Sequence, residues 1–291
     1  MSISDMLSFP DGTDNSELKE VTRSMVSEEP TITQMAQFAT ELARRSGEKA
    51  LSYYGKGKSH IKFDEGLVTE AELHITEFFR KSLQAQYPEH LLFQEAQDDT
   101  ESTDYTRGES RYVWLYNPLD GVANFQAGIP VWGTSVALFD NFWPVFGVFY
   151  MPATDDLFNA AAGRKAFRGD QEICVSSQES INNESVLLTY SRFHQHFRTT
   201  FPGKIRNLGC TAAHICYVAT GRAEAALIAT ESYEDVAAAW IIIEAAGGKI
   251  YKMDGTEFFF GKASGGKQSG EHLLVTSPRT YSQIRNTLEK I

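Results

Sequence analysis

The chain has 291 residues, 42% of them apolar, and a formal net charge of −11. That length is enough for one large domain or two packed halves sharing an interface and a sizeable core. The acidic balance repels nucleic-acid and anionic-lipid backbones, so neither is an expected partner, whereas a phosphorylated small molecule stays compatible if divalent cations stand between it and the protein. No run of about 18 uncharged apolar residues is available to span a bilayer, so no membrane association is expected. The opening MSISDMLSFPDGTDNSELKE has neither the basic nor the apolar region of a secretory signal. Cys174, Cys210 and Cys216 form no CxxC pair and leave an odd count, which points to a reduced, cytoplasmic setting rather than a disulfide framework.

Residues 1–30 read as a polar, acidic N-terminal extension. The first helix is predicted from Thr31, where Thr31 and Gln34 form a capping box. Ile32, Met35, Phe38, Ala39, Leu42 and Ala43 then recur at helical spacing, and the helix is expected to run to Tyr54 and Gly55. A second helix is predicted from Thr69, with Glu72 three residues on and Pro88 beyond its end. Short segments rich in β-branched and aromatic residues follow to about residue 176: RYVWLY, TSVALF, WPVFGVFYM and DLFNAAAG. The remainder alternates. SVLLTYS, AEAALIA, GKIYKMD and HLLVTS are predicted strands; TAAHICYVATG, DVAAAWIIIEAAGG and PRTYSQIRNTLEKI are predicted helices, the last one terminal. An α+β half (31–176) and an α/β half (177–291) are therefore expected, with a cleft between them.

Four acidic segments fall at element ends, where side chains can converge: LVTEAE (67–72), FQEA (93–96), WLYNPLDGVANF (114–125) and YEDVAAAW (233–240). Clustered carboxylates are the hard oxygen ligands that Mg²⁺ takes together with a substrate phosphate, and two such ions can drive an in-line displacement. Spacing alone says little, because acidic residues also gather at helix N-termini for electrostatic reasons.

WLYNPLDGVANF resembles the Trp-x-x-Asp-Pro-x-Asp-Gly-Thr-x-Asn-Phe signature of the inositol monophosphatase family, and EDVAAAWIIIEAAGG resembles its second signature. LVTEAE, YPEHLLFQEA, GVFYMPATDDLFNAAAG, KAFRGDQEICVSS and LGCTAAHICYVATGRAEA match in order, so the resemblance covers about residues 31–291. It implies a layered αβαβα sugar-phosphatase-like fold, often a homodimer, with Mg²⁺ held between the halves. By the same resemblance Glu95, Asn117, the Leu119 carbonyl, Asp120 and Asp235 stand at the metal-ligating positions. Gly121 and Val122 stand in the loop whose backbone faces the phosphate, and Gly209, Cys210 and Thr211 in the segment contacting the rest of the substrate.

The departures matter as much. Asn117 replaces the Asp that bridges two metals, so one anionic partner is lost. Val122 replaces the Thr that helps deprotonate the attacking water. Glu72, the other expected catalytic position, replaces that Thr's Asp partner and keeps the charge with a longer reach. Ala96 replaces the second Glu of a Glu-Glu pair, Glu234 replaces a Trp, and Ile228 stands where inositol-specific members have a Glu that bonds the ring, which argues against inositol phosphate as the preferred substrate. The expected function is a Mg²⁺-dependent phosphomonoesterase, a hydrolase of a small phosphorylated metabolite, with attenuated or redirected activity. The alternative is a catalytically inactive member with a binding or regulatory role.

Plainer readings accompany several of these residues. Thr69 and Glu72 could form no more than a capping box, and Asp235 could simply complement a helix dipole. Gly261 to Lys267 fits GxxxxGK, but Gln268 follows where a P-loop needs Ser or Thr, so a loop is expected rather than a nucleotide site. His194 and His196 read as a solvated stretch, His214 as packed inside its helix, and Cys210 as lacking a base that would make it a nucleophile.

Overall fold

The computed structural model describes residues 30–56, 65–93, 110–141, 143–232, 234–259 and 267–291, with side chains described except at 65–69, 230–232 and 267–271. Residues 1–29, Glu95, Ala96 and the Gly261–Lys267 motif up to Gly266 therefore lie outside the described residues.

Helix α1 (Ile32–Leu51) starts at the anticipated capping box: the Gln34 N–H donates to Thr31 Oγ1 at 3.2 Å and the Thr31 N–H donates to Gln34 Oε1 at 2.8 Å. Its apolar stripe (Met35, Ala39, Leu42, Ala43) is buried. Helix α2 spans Glu65–Gln86, so it begins four residues before the expected start. Thr69 lies in its second turn and is not an N-cap, which removes the capping-box explanation of Glu72. Both helices cover one face of a seven-stranded sheet in the order β1 (Leu91–Phe93), β2 (Tyr112–Asp120), β3 (Gly133–Asp140), β4 (Trp143–Met151), β5 (Asp156–Ala161), β6 (Ala166–Arg168), β7 (Gln171–Ile173). Only the β1–β2 pairing is parallel; the others are antiparallel. Between β2 and β3 lies the short helix α3 (Val122–Ala127).

The central strands are buried on both faces, and alternation divides their side chains. Val136, Leu138, Val148 and Tyr150 join the aromatic-rich core under α1 and α2, while Ala137, Phe139, Phe149 and Met151 enter the core on the opposite face. That second core also holds α4 (Thr211–Ala219) and α5 (Ala237–Ala245), whose Ala-rich surfaces allow close approach. At Gly147 a Cβ would come within 2.4 Å of the Ala238 carbonyl oxygen, so a glycine in β4 lets α5 lie against the sheet.

Beyond α4 and α5 is a five-stranded sheet in the order β10 (Lys204–Arg206), β8 (Val186–Thr189), β11 (Ala225–Ser232), β13 (Lys267–Thr276), β12 (Lys249–Lys252), with β10, β8 and β11 parallel. Its far face carries α6 (Tyr281–Asn286) and a two-stranded ribbon of β9 (Phe197–Thr199) and β14 (Leu288–Lys290). The layers thus run αβαβα. The terminal helix is shorter than expected: it stops at Asn286, because the next segment pairs as β14 with β9 and buries Leu288 with Phe197 and Ile284. Among the described residues no helix is long and apolar enough to cross a membrane.

Candidate active site

Strand β2 delivers its polar residues through a local irregularity. Asn117 pairs with Ser135 and Asp120 with Gly133, so three steps on β2 oppose two on β3. Pro118 sits in this bulge, where a residue without an N–H costs no ladder bond. The Leu119 N–H closes a tight turn by donating to Asn117 Oδ1 at 3.0 Å, and Thr134 Oγ1 donates to the Asn117 carbonyl at 3.2 Å. The Asn117 carbonyl and the oxygen end of its amide are therefore fixed.

The other end of that amide reaches the second half of the molecule. Asn117 Nδ2 donates to Asp235 Oδ1 at 3.1 Å. The orientation is dictated by chemistry: flipping the amide would set its NH₂ against the Leu119 N–H and its oxygen against the Asp235 carboxylate. Asp235 precedes α5, whose N-cap is Val236, and so stands just outside the helix rather than at its start as expected.

Asp120, 9% exposed, turns both carboxylate oxygens onto the start of α4. Oδ1 accepts from the Thr211 N–H at 3.1 Å and Oδ2 from the Ala212 N–H at 2.6 Å. The Cys210 thiol and the Gly121 N–H bond the same carboxylate. Burial pushes the Asp120 carboxyl up from its ordinary range, and these four donors oppose that shift. Burial, with Asp120's charge beside it, likewise drives the Cys210 thiol well up. The thiol is kept protonated, in line with its not being a nucleophile.

Gly121 has φ of +86°, and a Cβ there would meet the Val131 carbonyl oxygen at 2.8 Å, so the turn from β2 into α3 requires glycine. Val122 is half-buried against the core under α1 and α2. Asn124, a residue not singled out from the sequence although it belongs to the quoted signature, has one amide nitrogen donating to two carbonyls, Val131 at 2.7 Å and Leu208 at 2.6 Å. Opposite it, Gly209 has φ of +74°, and a Cβ there would lie 2.9 Å from Asn124 Nδ2. His214 is packed, as expected, and accepts the Leu208 N–H at Nε2 (3.0 Å); burial lowers its pKa to about 4.

Glu72 lies on α2, half-buried, with its carboxyl raised by burial. Ile228 is 1% exposed inside the core around α4 and α5, paired in β11 with Leu273 of β13. An aliphatic side chain at that register packs inward, so Ile228 offers no surface to a ligand. His196 Nδ1 shares a hydrogen bond with Tyr190 Oη at 2.9 Å, and its ring centroid lies 5.1 Å from that of His272.

The structure thus brings Asn117, Asp120, Gly121, Gly209, Cys210, Thr211 and Asp235 together at the junction of the two halves. The cation suggested by the resemblance is a different matter. Among the described residues no group of three His, Cys, Asp or Glu side chains is placed to hold a metal ion. Asn117 presents an N–H where a ligand oxygen is required, and Asp120's oxygens are taken up by N–H groups. As arranged, Asn117 Nδ2 offers no ligand and the Asp120 oxygens face N–H donors, while Glu95, the other expected carboxylate, lies outside the described residues.

A sequence profile described as the inositol monophosphatase family matches residues 31–285. The histidinol-phosphatase of Chlorobaculum parvum is 29% identical over 252 residues, 82% of this chain and 95% of that protein. The Nus factor SuhB of Pasteurella multocida is 26% identical, over 88% and 96% respectively. Among solved structures, inositol monophosphatase from Anabaena superposes with a TM-score of 0.68 at 26% identity, covering 88% of this chain and 95% of that one. With the layered fold and the matched segments in place, the chain belongs to the inositol monophosphatase family.

Proposed function

We propose that this chain keeps the family's junction for a small phosphorylated metabolite but has phosphomonoesterase activity far below that of a fully equipped member. What supports this reading is the hydrogen bond from Asn117 to Asp235. Two facing carboxylates repel one another until a cation enters, whereas an amide facing a carboxylate is already satisfied. The altered residue therefore removes the electrostatic demand for Mg²⁺ at that spot. Val122 adds a second loss, because an isopropyl group cannot relay a proton from water to Glu72.

The test is phosphate release in the presence of Mg²⁺ from a panel of inositol, histidinol, sugar and nucleotide monophosphates. Each missing preorganised group commonly costs about 10²–10³ in rate, so wild-type turnover is expected to be at least that far below the double variant Asn117→Asp with Val122→Thr. Wild-type turnover within the ordinary range of about 1–10³ s⁻¹, unimproved by the double variant, would overturn the reading. A second reading, a silent member that acts by binding, is favoured by the relative named as a Nus factor rather than a phosphatase. Total absence of wild-type turnover, with phosphate-ester binding retained, selects it.

A further inference from the structure

We propose that Asp120 is a latch between the two halves: its carboxylate serves as the permanent anion at the start of α4, tying the end of β2 to the C-terminal half without a cation. The first N–H groups of a helix have no partner within it. At α4 the cap position is Cys210, whose thiol lies toward the Ala213 N–H and leaves those of Thr211 and Ala212 to another partner. The bonds come instead from a carboxylate 91 residues upstream of Thr211 and 92 upstream of Ala212. A carboxylate suits that position because the helix dipole favours negative charge there, and ionic hydrogen bonds are the stronger kind. Its remaining acceptor capacity goes to the Cys210 thiol and the Gly121 N–H.

A second tie runs beside it. Asn124 holds Val131 in its own half and Leu208 in the other, and Gly209 leaves the space that the Asn124 side chain fills. Asp120 and Asn124 together grip both sides of the turn that leads into α4. The latch goes beyond the reading of reduced activity: that one depends on Asn117 and Asp235, this one on a different carboxylate, and each can fail without the other.

The sign of a stability change decides it. In a metal centre without its metal, clustered carboxylates repel, so Asp120→Asn raises the melting temperature of the metal-free chain and abolishes any rise with Mg²⁺. A latch gives the opposite result, because the amide keeps one acceptor and turns an N–H toward a helix N–H. Thermal denaturation of the full chain is expected to show a fall on the order of 5 °C for Asp120→Asn, equal with and without Mg²⁺. Thr211→Pro leaves the Asp120 charge in place and deletes one donor at the first helical position, where proline is otherwise well accepted. It is expected to lower the melting temperature by less than Asp120→Asn, and the double variant by less than the sum. A stabilised Asp120→Asn, or a neutral Thr211→Pro, would overturn the latch. Should Asp120→Asn not fold, Thr211→Pro alone decides: a fall of several degrees supports the latch and no fall overturns it.

Discussion

Asp120 and Asp235 come to the junction from opposite halves and are satisfied in different ways. Asp120 is embedded among two helix N–H groups, a thiol and a glycine N–H, and crosses from β2 to α4. Asp235 stands before α5 and accepts from the side-chain amide of Asn117 coming the other way. The first arrangement draws largely on backbone donors, which any residue but proline at 211 and 212 would provide. The second includes a side-chain nitrogen, the atom that distinguishes Asn from Asp. Structural strength thus lies on the Asp120 side and the chemical change on the Asp235 side.

The strongest way to probe the Asp120 side without touching Asp120 is through pH. His214 receives the Leu208 N–H and must be neutral to do so. Its folded pKa of about 4 lies below the unfolded value of about 6.5. Its contribution is thus fully present above pH about 6.5 and is lost as pH falls toward 4, because the unfolded chain takes up the proton first. The loss amounts to about 3 kcal/mol. Urea denaturation of wild type and His214→Gln at neutral and acidic pH is expected to show a smaller acid loss in the variant. Equal slopes would mean that the turn before α4 does not depend on a neutral imidazole.

A smaller effect is expected at Asn124. Asn124→Ala leaves two carbonyls short of a donor, for a destabilisation of about 2 kcal/mol by urea denaturation. Coupling to Asp120→Asn is expected in a double-mutant cycle, since both grip one turn, and strict additivity would mean that the two ties act separately.

How much of this was legible in the sequence depends on how far apart the partners are. The capping box at Thr31, the helical stripe from Ile32 and the strand segments rich in β-branched and aromatic residues are local patterns, and all reappear in the structure. The early start of α2 was hidden because Thr69 with Glu72 imitates a helix start inside a helix. The turn of Leu288 into a strand depends on Phe197, far away in the chain, and local helical spacing outweighed it. At the site, the signature segments located Asn117, Asp120 and Asp235. What those side chains hold was not readable, because the partners lie 91 and 118 residues away. Asn124 could have been noticed as an amide inside a signature loop, since one such group can bridge two carbonyls. The resemblance sets Ile228 at a substrate-contacting position, whereas its side chain is buried in the core.

Whether the polar groups at this junction satisfy one another without a divalent cation is read out by the Mg²⁺-dependent thermal stability of wild type and Asn117→Asp. A ligand that binds only the folded chain raises its melting temperature by mass action. Wild type is expected to show no rise at millimolar Mg²⁺. Asn117→Asp, with two carboxylates face to face, is expected to melt lower without Mg²⁺ and to recover with it. A wild-type melting temperature that climbs with Mg²⁺, matched by an Asn117→Asp variant that responds no more strongly, would show that these groups do not satisfy one another without the cation.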